Sequence, residues 1–511
     1  MRMPKMEKVE WEDVQGLLSS GFLRLPFAAY ILLRFVPGGT VETKAWLGGL
    51  AERLMRADGE DEAEPSRPRS VRTMKKYVKE MKLSRGGGTP AIDIGAVNFA
   101  LTASGLKSLG VERSELAQFS SEFGEGMAPP MVGGVVPRRS NVLGDIGDSS
   151  PACWEWGGWN AHQTIDGLLL VFAADPKSLE ALVSRELALM AGAAEALLRL
   201  DGYYEGKEHK EHFGFKDGIS QPIIEDTEHT SAKQKRISVV KPGEFVLGYL
   251  NERNARMKFS GAHERDLGRN GTYLVFRQLE QDVPAFNAFI SDTIKLLCGT
   301  VNVDPQAKEL VAARLIGRYR SGEPLVPPAA DSRGRPEERN DFLYHFEDRF
   351  GLACPIGAHI RRANPRDDAL GPDPDTALRL SKMHRIIRRG RLYGERLDPS
   401  AKNEASRRGL YFICLNADIA GQFEMVQHSW MNGAHFNGLH HETDCMSHYP
   451  PGDRTMTIQH RPTNMRIPVP KFVTVRGGAY FFLPGVRALQ SLAQAHSGRV
   501  TLSPGASVSP R

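Results

Sequence analysis

Short apolar runs alternate with longer amphipathic stretches along most of the chain. Residues 28–35 (AAYILLRF), bounded by Pro26 and by Pro37-Gly38-Gly39, predict a buried strand. Residues 92–101 (IDIGAVNFAL) predict a second strand, with a helix starting near Thr102-Ala103-Ser104, and residues 167–174 (GLLLVFAA) predict a third. From 177 to 200 (KSLEALVSRELALMAGAAEALLRL) apolar residues recur at three- and four-residue intervals, which predicts one long amphipathic helix. A related order returns in the second half: a strand at 271–276, a helix at 283–297, and strands at 409–415 and 478–483. Strands interleaved with helices, twice over, predict an α+β protein of two similar halves, with the strand order left open. Between these elements, 58–69 and 329–340 read as surface loops and 225–241 as the connection between the halves. The tail after Ser503 reads as disordered.

Composition narrows the class. A chain of 511 residues is too long for one ordinary core, in agreement with the duplicated pattern. With 41% hydrophobic and 25% charged residues it is an ordinary globular chain. A net charge of +5 is too dilute for a polybasic binder, so no nucleic-acid partner is expected. Cys153, Cys298, Cys354, Cys414 and Cys445 are scattered without a CxxC pair, so neither a zinc ribbon nor a disulfide scaffold is indicated, and the pattern fits a reducing compartment. The basic start lacks a following apolar segment, and the most apolar stretch, 27–35, is too short to span a bilayer. A cytoplasmic protein with no membrane partner is expected.

Three motifs carry candidate chemistry. In GFKDGISQP (214–222) two glycines flank Asp217, so a tight turn presents the carboxylate in a confined space; a plain Asp-Gly turn shows the same residues. In CPIGAHIRRANPR (354–366) a single histidine, His359, follows small residues that leave room for a bulky group beside its ring. Arg361, Arg362 and Arg366 follow closely, suited to carboxylates or phosphate, or to a solvated basic face. Imidazole is the usual proximal ligand of haem iron in peroxidases. The basic run HRIIRRGRLYG (384–394) lacks the aromatic interleaving that single-stranded nucleic acid favours.

Taken in order, GFKDGISQP, CPIGAHIRRANPR, RIIRRGRLYG and GLYFICL resemble the dye-decolourising (DyP-type) haem peroxidase family, and the length resembles its larger members. Supporting similarity lies in VNFALTASGLKSLG (97–110), GEFVLGY (243–249), GRNGTYLVFRQL (268–279) and VTVRGGAYFFLP (473–484). The resemblance therefore runs from about Val14 to Pro484.

That resemblance implies two ferredoxin-like α+β units of the dimeric α+β barrel type, antiparallel sheets with helices packed on them. The N-terminal unit would span 1–230 and end with the GxxDG loop. The C-terminal unit, 231–511, would carry the proximal histidine and most of the haem pocket. The implied cofactor is haem b, with His359 as iron ligand, Asp217 as distal acid–base and Arg388 as distal arginine, several residues before the aromatic-Gly pair Tyr393-Gly394. Arg385 and Arg389 stay open as alternatives to Arg388. Leu410 and Phe412 match apolar residues that line the distal pocket. Asp444 is the candidate, by approximate position, for a carboxylate accepting the histidine's second N–H, and Glu424 is the fallback. His435, His440, His441 and His448 match no compact metal template and read as a polar loop.

The implied activity is reduction of hydrogen peroxide coupled to oxidation of dyes, phenols or similar organic electron donors. A distal carboxylate, whose ordinary pKa is about 4, implies an acidic optimum that a distal histidine would not. Trp154, Trp156, Tyr393 and Trp430 are unranked candidates for surface radicals that would oxidise dyes too large for the pocket. The rival readings are haem handling without peroxide: deferrochelatase-like iron release, or haem storage and carriage. A carrier would have no use for the distal Asp and Arg. Oligomeric state is not legible in the sequence.

Overall fold

Strand β1 (Phe27–Phe35) is apolar at nearly every position because both of its faces are covered. Ala29, Ile31 and Leu33 pack outward against helices, while Ala28, Tyr30 and Leu32 point into the middle of a barrel, the period-two alternation of a strand. The structure is a computed structural model and describes residues 7–57, 95–161, 164–204, 209–225, 236–257, 266–298, 304–327, 335–336, 339–368, 370–398, 406–447 and 454–494.

Pairing is antiparallel throughout the barrel. β1 lies between β3 (Gly167–Ala173) and β4 (Ala194–Tyr203), with Tyr30 opposite Leu170 and Leu200. β2 (Gly95–Leu101) flanks β3, so the first half runs β2-β3-β1-β4. The second half repeats that order with β7 (Arg391–Tyr393), β8 (Gly409–Asn416), β5 (Thr272–Gln281) and β9 (Val473–Leu483). Single pairs join the halves, Tyr203 with Leu392 and Leu101 with Phe482. Because β5 pairs with β8 as well as β9, the nine-stranded sheet closes on itself, and the short β6 (Ile387–Arg388) adds to β8. Helix α1 (Thr40–Arg53) follows β1, α2 (Pro176–Met190) follows β3, and α3 (Val283–Cys298) follows β5. The α+β expectation holds as two ferredoxin-like halves of one barrel.

The predicted long helix over 177–200 is corrected. α2 starts on the Asp175 cap, whose side chain accepts from Ser178 N, and ends at Met190. Gly192, at φ +83°, turns the chain, and the remaining apolar residues enter β4. Spacing alone does not separate the two outcomes; the free edge of β1, which pairs from Phe35 back to Phe27, decides for strand. The other predicted strands stand close to their expected places. The loop at 58–69, residues 92–94 of the second strand, the tail, and most of 329–340 lie outside the described residues. The same holds for residues 226–235, between β4 and β5, where a division at 230 would fall. Among the described residues no helix is long and apolar enough to cross a membrane.

One buried acid gives the fold a pH signature. Glu244 is 2% exposed, and burial pushes its carboxyl up to about 7, against the hydrogen bond it accepts from Glu252 N (2.9 Å). The unfolded chain ionises this group near 4.5, so between 4.5 and about 7 folding increasingly opposes ionisation and stability falls as pH rises. Glu244→Gln keeps the acceptor and is expected to stabilise the protein by up to about 3 kcal/mol above pH 7, and not at pH 4. Thermal unfolding midpoints at the two pH values test this; an equal effect at both contradicts it.

Candidate functional site

Beyond α3 a long further segment precedes β6, and the site lies under it. Its helices α4 (Pro305–Ile316), α5 (His359–Ala363) and α6 (Pro374–Lys382) stand over the second half of the barrel. Between α5 and the outer face of β5 and β8 is a cavity of ≈ 310 Å³. Alternation along β8 turns Leu410 and Phe412 towards this cavity and Tyr411 and Ile413 into the barrel, as the sequence reading of Leu410 and Phe412 expects. After β8 the chain forms π-helical turns, Ala420–Glu424 and Val426–Met431. Their wide turn brings Phe423, Gln427 and Met431, four residues apart, onto the cavity wall.

His359 opens α5 and faces the cavity. Its Nδ1 lies 3.1 and 3.0 Å from the two carboxylate oxygens of Asp444, which leaves Nε2 for the cavity. Asp444 is fully buried and fixed by its own backbone: Met446 N donates to its Oδ1 (2.7 Å), and Asp444 N donates to Met431 O (2.7 Å). Burial pulls the His359 imidazole down, but the Asp444 carboxylate outweighs it and the net shift is upward. For Asp444 burial pushes up, yet His359 and then Arg362 hold its carboxyl below the usual range. Glu424, the fallback, is elsewhere; it accepts from Tyr480 Oη (2.8 Å) and pairs with Arg139.

The arginines after His359 form no solvated basic face. All three are buried. Arg361 pairs with Asp368 (2.6 Å) and Asp348 (3.3 Å). Arg362 donates to the carbonyls of Trp430 (2.7 Å), Gly433 (3.0 Å) and Glu442 (2.9 Å), and so ties α5 to the end of the π-helical segment. Arg366 donates to Phe342 O (2.9 Å) and lies 3.9 Å over the Phe342 ring. They brace the histidine's helix.

The same cavity is lined by Asp217 and Arg388. Gly214 (φ +94°) and Gly218 (φ +82°) adopt left-handed backbone on either side of Asp217, which is why glycines flank it. Asp217 Oδ1 accepts from Gly218 N (2.6 Å) and from Arg388 Nη2 (3.3 Å). Gln221 holds the Arg388 backbone on both sides, donating to its carbonyl (3.1 Å) and accepting from its N–H (3.0 Å). Arg389 points away, to the carbonyls of Leu17 and Leu18 (both 2.9 Å). Of the three arginines the sequence left open, Arg388 is the one that reaches Asp217.

Whether this cavity suits haem can be tested on its charges. Arg385 lines the cavity, is buried, and donates to Ser220 O at 3.2 Å. Burial, then the nearby Arg366 and Arg388 charges, push its guanidinium down to about 9. Arg318, also lining the cavity, is pushed down to about 9 by burial and by Arg366. Among the described residues no carboxylate pairs with either. Arg318 donates to Gly322 O (2.9 Å), Arg339 O (2.8 Å) and Asn340 Oδ1 (3.1 Å), all neutral acceptors, so both guanidinium groups leave positive charge beside an apolar cavity; a flat apolar group carrying carboxylates suits such a site. The donor set fits haem.

Sequence reasoning missed Arg318, Arg385 in this role, and the buried Arg277–Asp145 pair on the cavity wall. Arg277, a charge directly after the run TYLVF (272–276), was a signal; Arg318 sits in an unremarkable segment. The four aromatic candidates are corrected: Trp154, Trp156, Tyr393 and Trp430 are 7%, 4%, 7% and 3% exposed, so none is a surface residue. Aromatic residues gain more by burial than by exposure, and pattern alone did not show which faces were covered. His435 stacks edge-on with His440 and His441, none of them on the cavity, and His448 lies outside the described residues.

The duplicated ferredoxin-like barrel, the histidine–carboxylate pair, the opposing Asp–Arg pair and the buried cations define the class: an α+β barrel protein with a cofactor-sized site beside its second half. No protein-family model matches the chain. The multifunctional dye peroxidase DyP2 of an Amycolatopsis species is 28% identical over 478 residues, covering 89% of this chain and 90% of its own. Peroxidase 2 of Mycetinis scorodonius is 29% identical over 426 residues, covering 78% of this chain and 76% of its own. The solved DyP-type peroxidase of an Anabaena species superposes with a TM-score of 0.71 at 25% identity, over 94% of each chain. Over most of its length the chain is similar to dye-decolourising peroxidases, which are haem enzymes.

Proposed function

We propose that this protein is a haem b peroxidase that reduces hydrogen peroxide and oxidises dyes, phenols or similar organic donors, with an acidic optimum. One observation carries the reading: Asp217 and Arg388 line the same cavity as the His359–Asp444 pair. Haem, when bound, supplies the iron site at which peroxide is held and reduced. His359 Nε2 would be its protein ligand, and Nδ1–H donated to Asp444 would fix the ring's tautomer and raise its basicity. Arg385 and Arg318 would receive the cofactor's carboxylates.

Asp217 takes a proton from one peroxide oxygen and returns it to the other, which leaves as water. Arg388 stabilises the negative charge that develops as the O–O bond breaks, and its 3.3 Å contact keeps Asp217 in line. Leu410 and Phe412 close the cavity floor with apolar surface and keep bulk water out. Two donor molecules, each losing one electron, and two protons complete the conversion of peroxide to two waters. A carboxylate in the place of an imidazole favours this proton transfer in acid. Cys153, Cys354, Cys414 and Cys445 are unpaired, which supports a reducing, cytoplasmic setting.

The test is peroxide-dependent oxidation of an anthraquinone dye and of a phenol by haem-loaded protein across pH. Turnover that peaks below neutrality is expected; no turnover at any pH, or a peak well above neutrality, contradicts the reading. Among the four buried aromatics, Trp430 is the one whose ring meets a cavity residue, His384, edge-on at 5.1 Å. Trp430→Phe is expected to lower turnover of a bulky dye while leaving the peroxide step unchanged. Unchanged dye turnover removes Trp430 as an electron relay.

A further inference from the structure

We infer that Glu211 is a positioning residue for the peroxide step: its carboxylate holds the loop that presents Asp217 to the cavity. The inference rests on Asp217 being the acid–base. Glu211 stands six residues before Asp217 and lines the same cavity. Its two oxygens accept three hydrogen bonds, from Phe213 N (2.9 Å), Phe215 N (2.8 Å) and Gln281 Nε2 (2.7 Å). Its backbone closes the same turn, with Glu211 N donating to Phe215 O (2.9 Å) and Gly214 N donating to Glu211 O (2.8 Å).

Two of the three side-chain bonds shape the loop, and the third registers it to the barrel. Gln281 belongs to β5, the strand that also sends Arg277 and Leu279 to the cavity. The Glu211 carboxylate is thus the direct link between the cavity floor and the turn that aims Asp217. Around it, Arg396 donates to Glu211 O (3.2 Å) and Arg320 to Phe213 O (2.9 Å), both to backbone, so neither neutralises the carboxylate by pairing with it. Burial pushes the Glu211 carboxyl up against these hydrogen bonds, and the Asp217 charge adds to the push. A half-buried acid whose two oxygens are both engaged, within the loop of a second acid, is more than the Gly214 and Gly218 turn requires.

Glu211→Gln replaces one acceptor oxygen by an N–H₂ that cannot accept from the loop amides. In haem-loaded protein mixed with peroxide under single-turnover conditions, this variant is expected to slow the peroxide-dependent spectral change roughly 10- to 100-fold. The KM for a phenolic donor should stay unchanged, and amide exchange at Phe213 and Phe215 should quicken in the protein before peroxide is added. Faster exchange with an unchanged peroxide step overturns the inference, because Glu211 would then only stiffen the loop; no change in either overturns it as well. If Glu211→Gln does not load haem, Gln281→Met, which removes the hydrogen bond from β5 to Glu211, is expected to slow the same step several-fold, roughly the effect of one hydrogen bond; no slowing overturns the inference. Asp217→Asn, run alongside, separates the two claims: an unchanged rate there defeats the acid–base reading itself, whereas slowing in Asp217→Asn alone defeats only the role of Glu211.

Discussion

Replacing His359 with alanine is expected to abolish protein ligation of the haem iron and with it the haem absorption band of the purified protein. The side chain is the one imidazole on the α5 wall of the cavity, and Asp444 holds its Nδ1 at 3.0 Å so that Nε2 stays directed inward. Asp444→Asn keeps the ligand and removes only the charge behind it, so it is expected to weaken haem retention by the roughly 10- to 100-fold typical of outer partners. The alanine variant should lose more than that. Added imidazole should restore part of the band in His359→Ala, because the cavity left by the side chain admits the free ring. Haem titration of the three proteins checks the ranking, and equal retention in wild type and His359→Ala would remove His359 as the ligand.

Asp217→Asn is expected to slow the peroxide step about 10²- to 10⁴-fold, the usual contribution of a positioned acid–base. The amide keeps the bond from Gly218 N and most of the contact with Arg388, so haem binding and the fold should survive. Arg388→Leu should slow the same step by about 10²-fold or more, since it removes the fixed charge facing the breaking bond. The two losses are not expected to add, because one contact joins the residues and each variant disturbs both. Single-turnover mixing across pH measures them, and the acid dependence of the wild-type rate should vanish in Asp217→Asn. An unaltered pH profile would assign the proton transfer to another group.

Much of this was legible in the sequence, for reasons that differ between elements. β1, β3 and β8 were read because both faces of a barrel strand are covered and the sequence is therefore continuously apolar. The stretch 191–200 was misread, because AAEALLRL satisfies helical and extended spacing alike and the edge of β1 decided the outcome. His359, Asp217, Leu410 and Phe412 came from motif order, and the structure brings them to one cavity. Asp444 and Arg388 were preferred by position, each with alternatives left open. The choice lay in side-chain direction: Glu424 faces Tyr480 and Arg139, and Arg389 faces the carbonyls of the N-terminal segment. Arg318, Arg385 and Glu211 had no legible role because burial is set by long-range packing, and a buried charge looks like a surface charge when read along the chain.

The central claim is that the Asp217–Arg388 pair acts on peroxide held opposite His359. Its most direct test is to mix the haem-loaded protein with one equivalent of hydrogen peroxide and follow the haem band on the millisecond scale. A fast change that a phenolic donor then reverses in two one-electron steps, slowed at least about 100-fold in Asp217→Asn, is the predicted result. A wild-type band that does not respond to peroxide, or responds equally fast in Asp217→Asn, would contradict it.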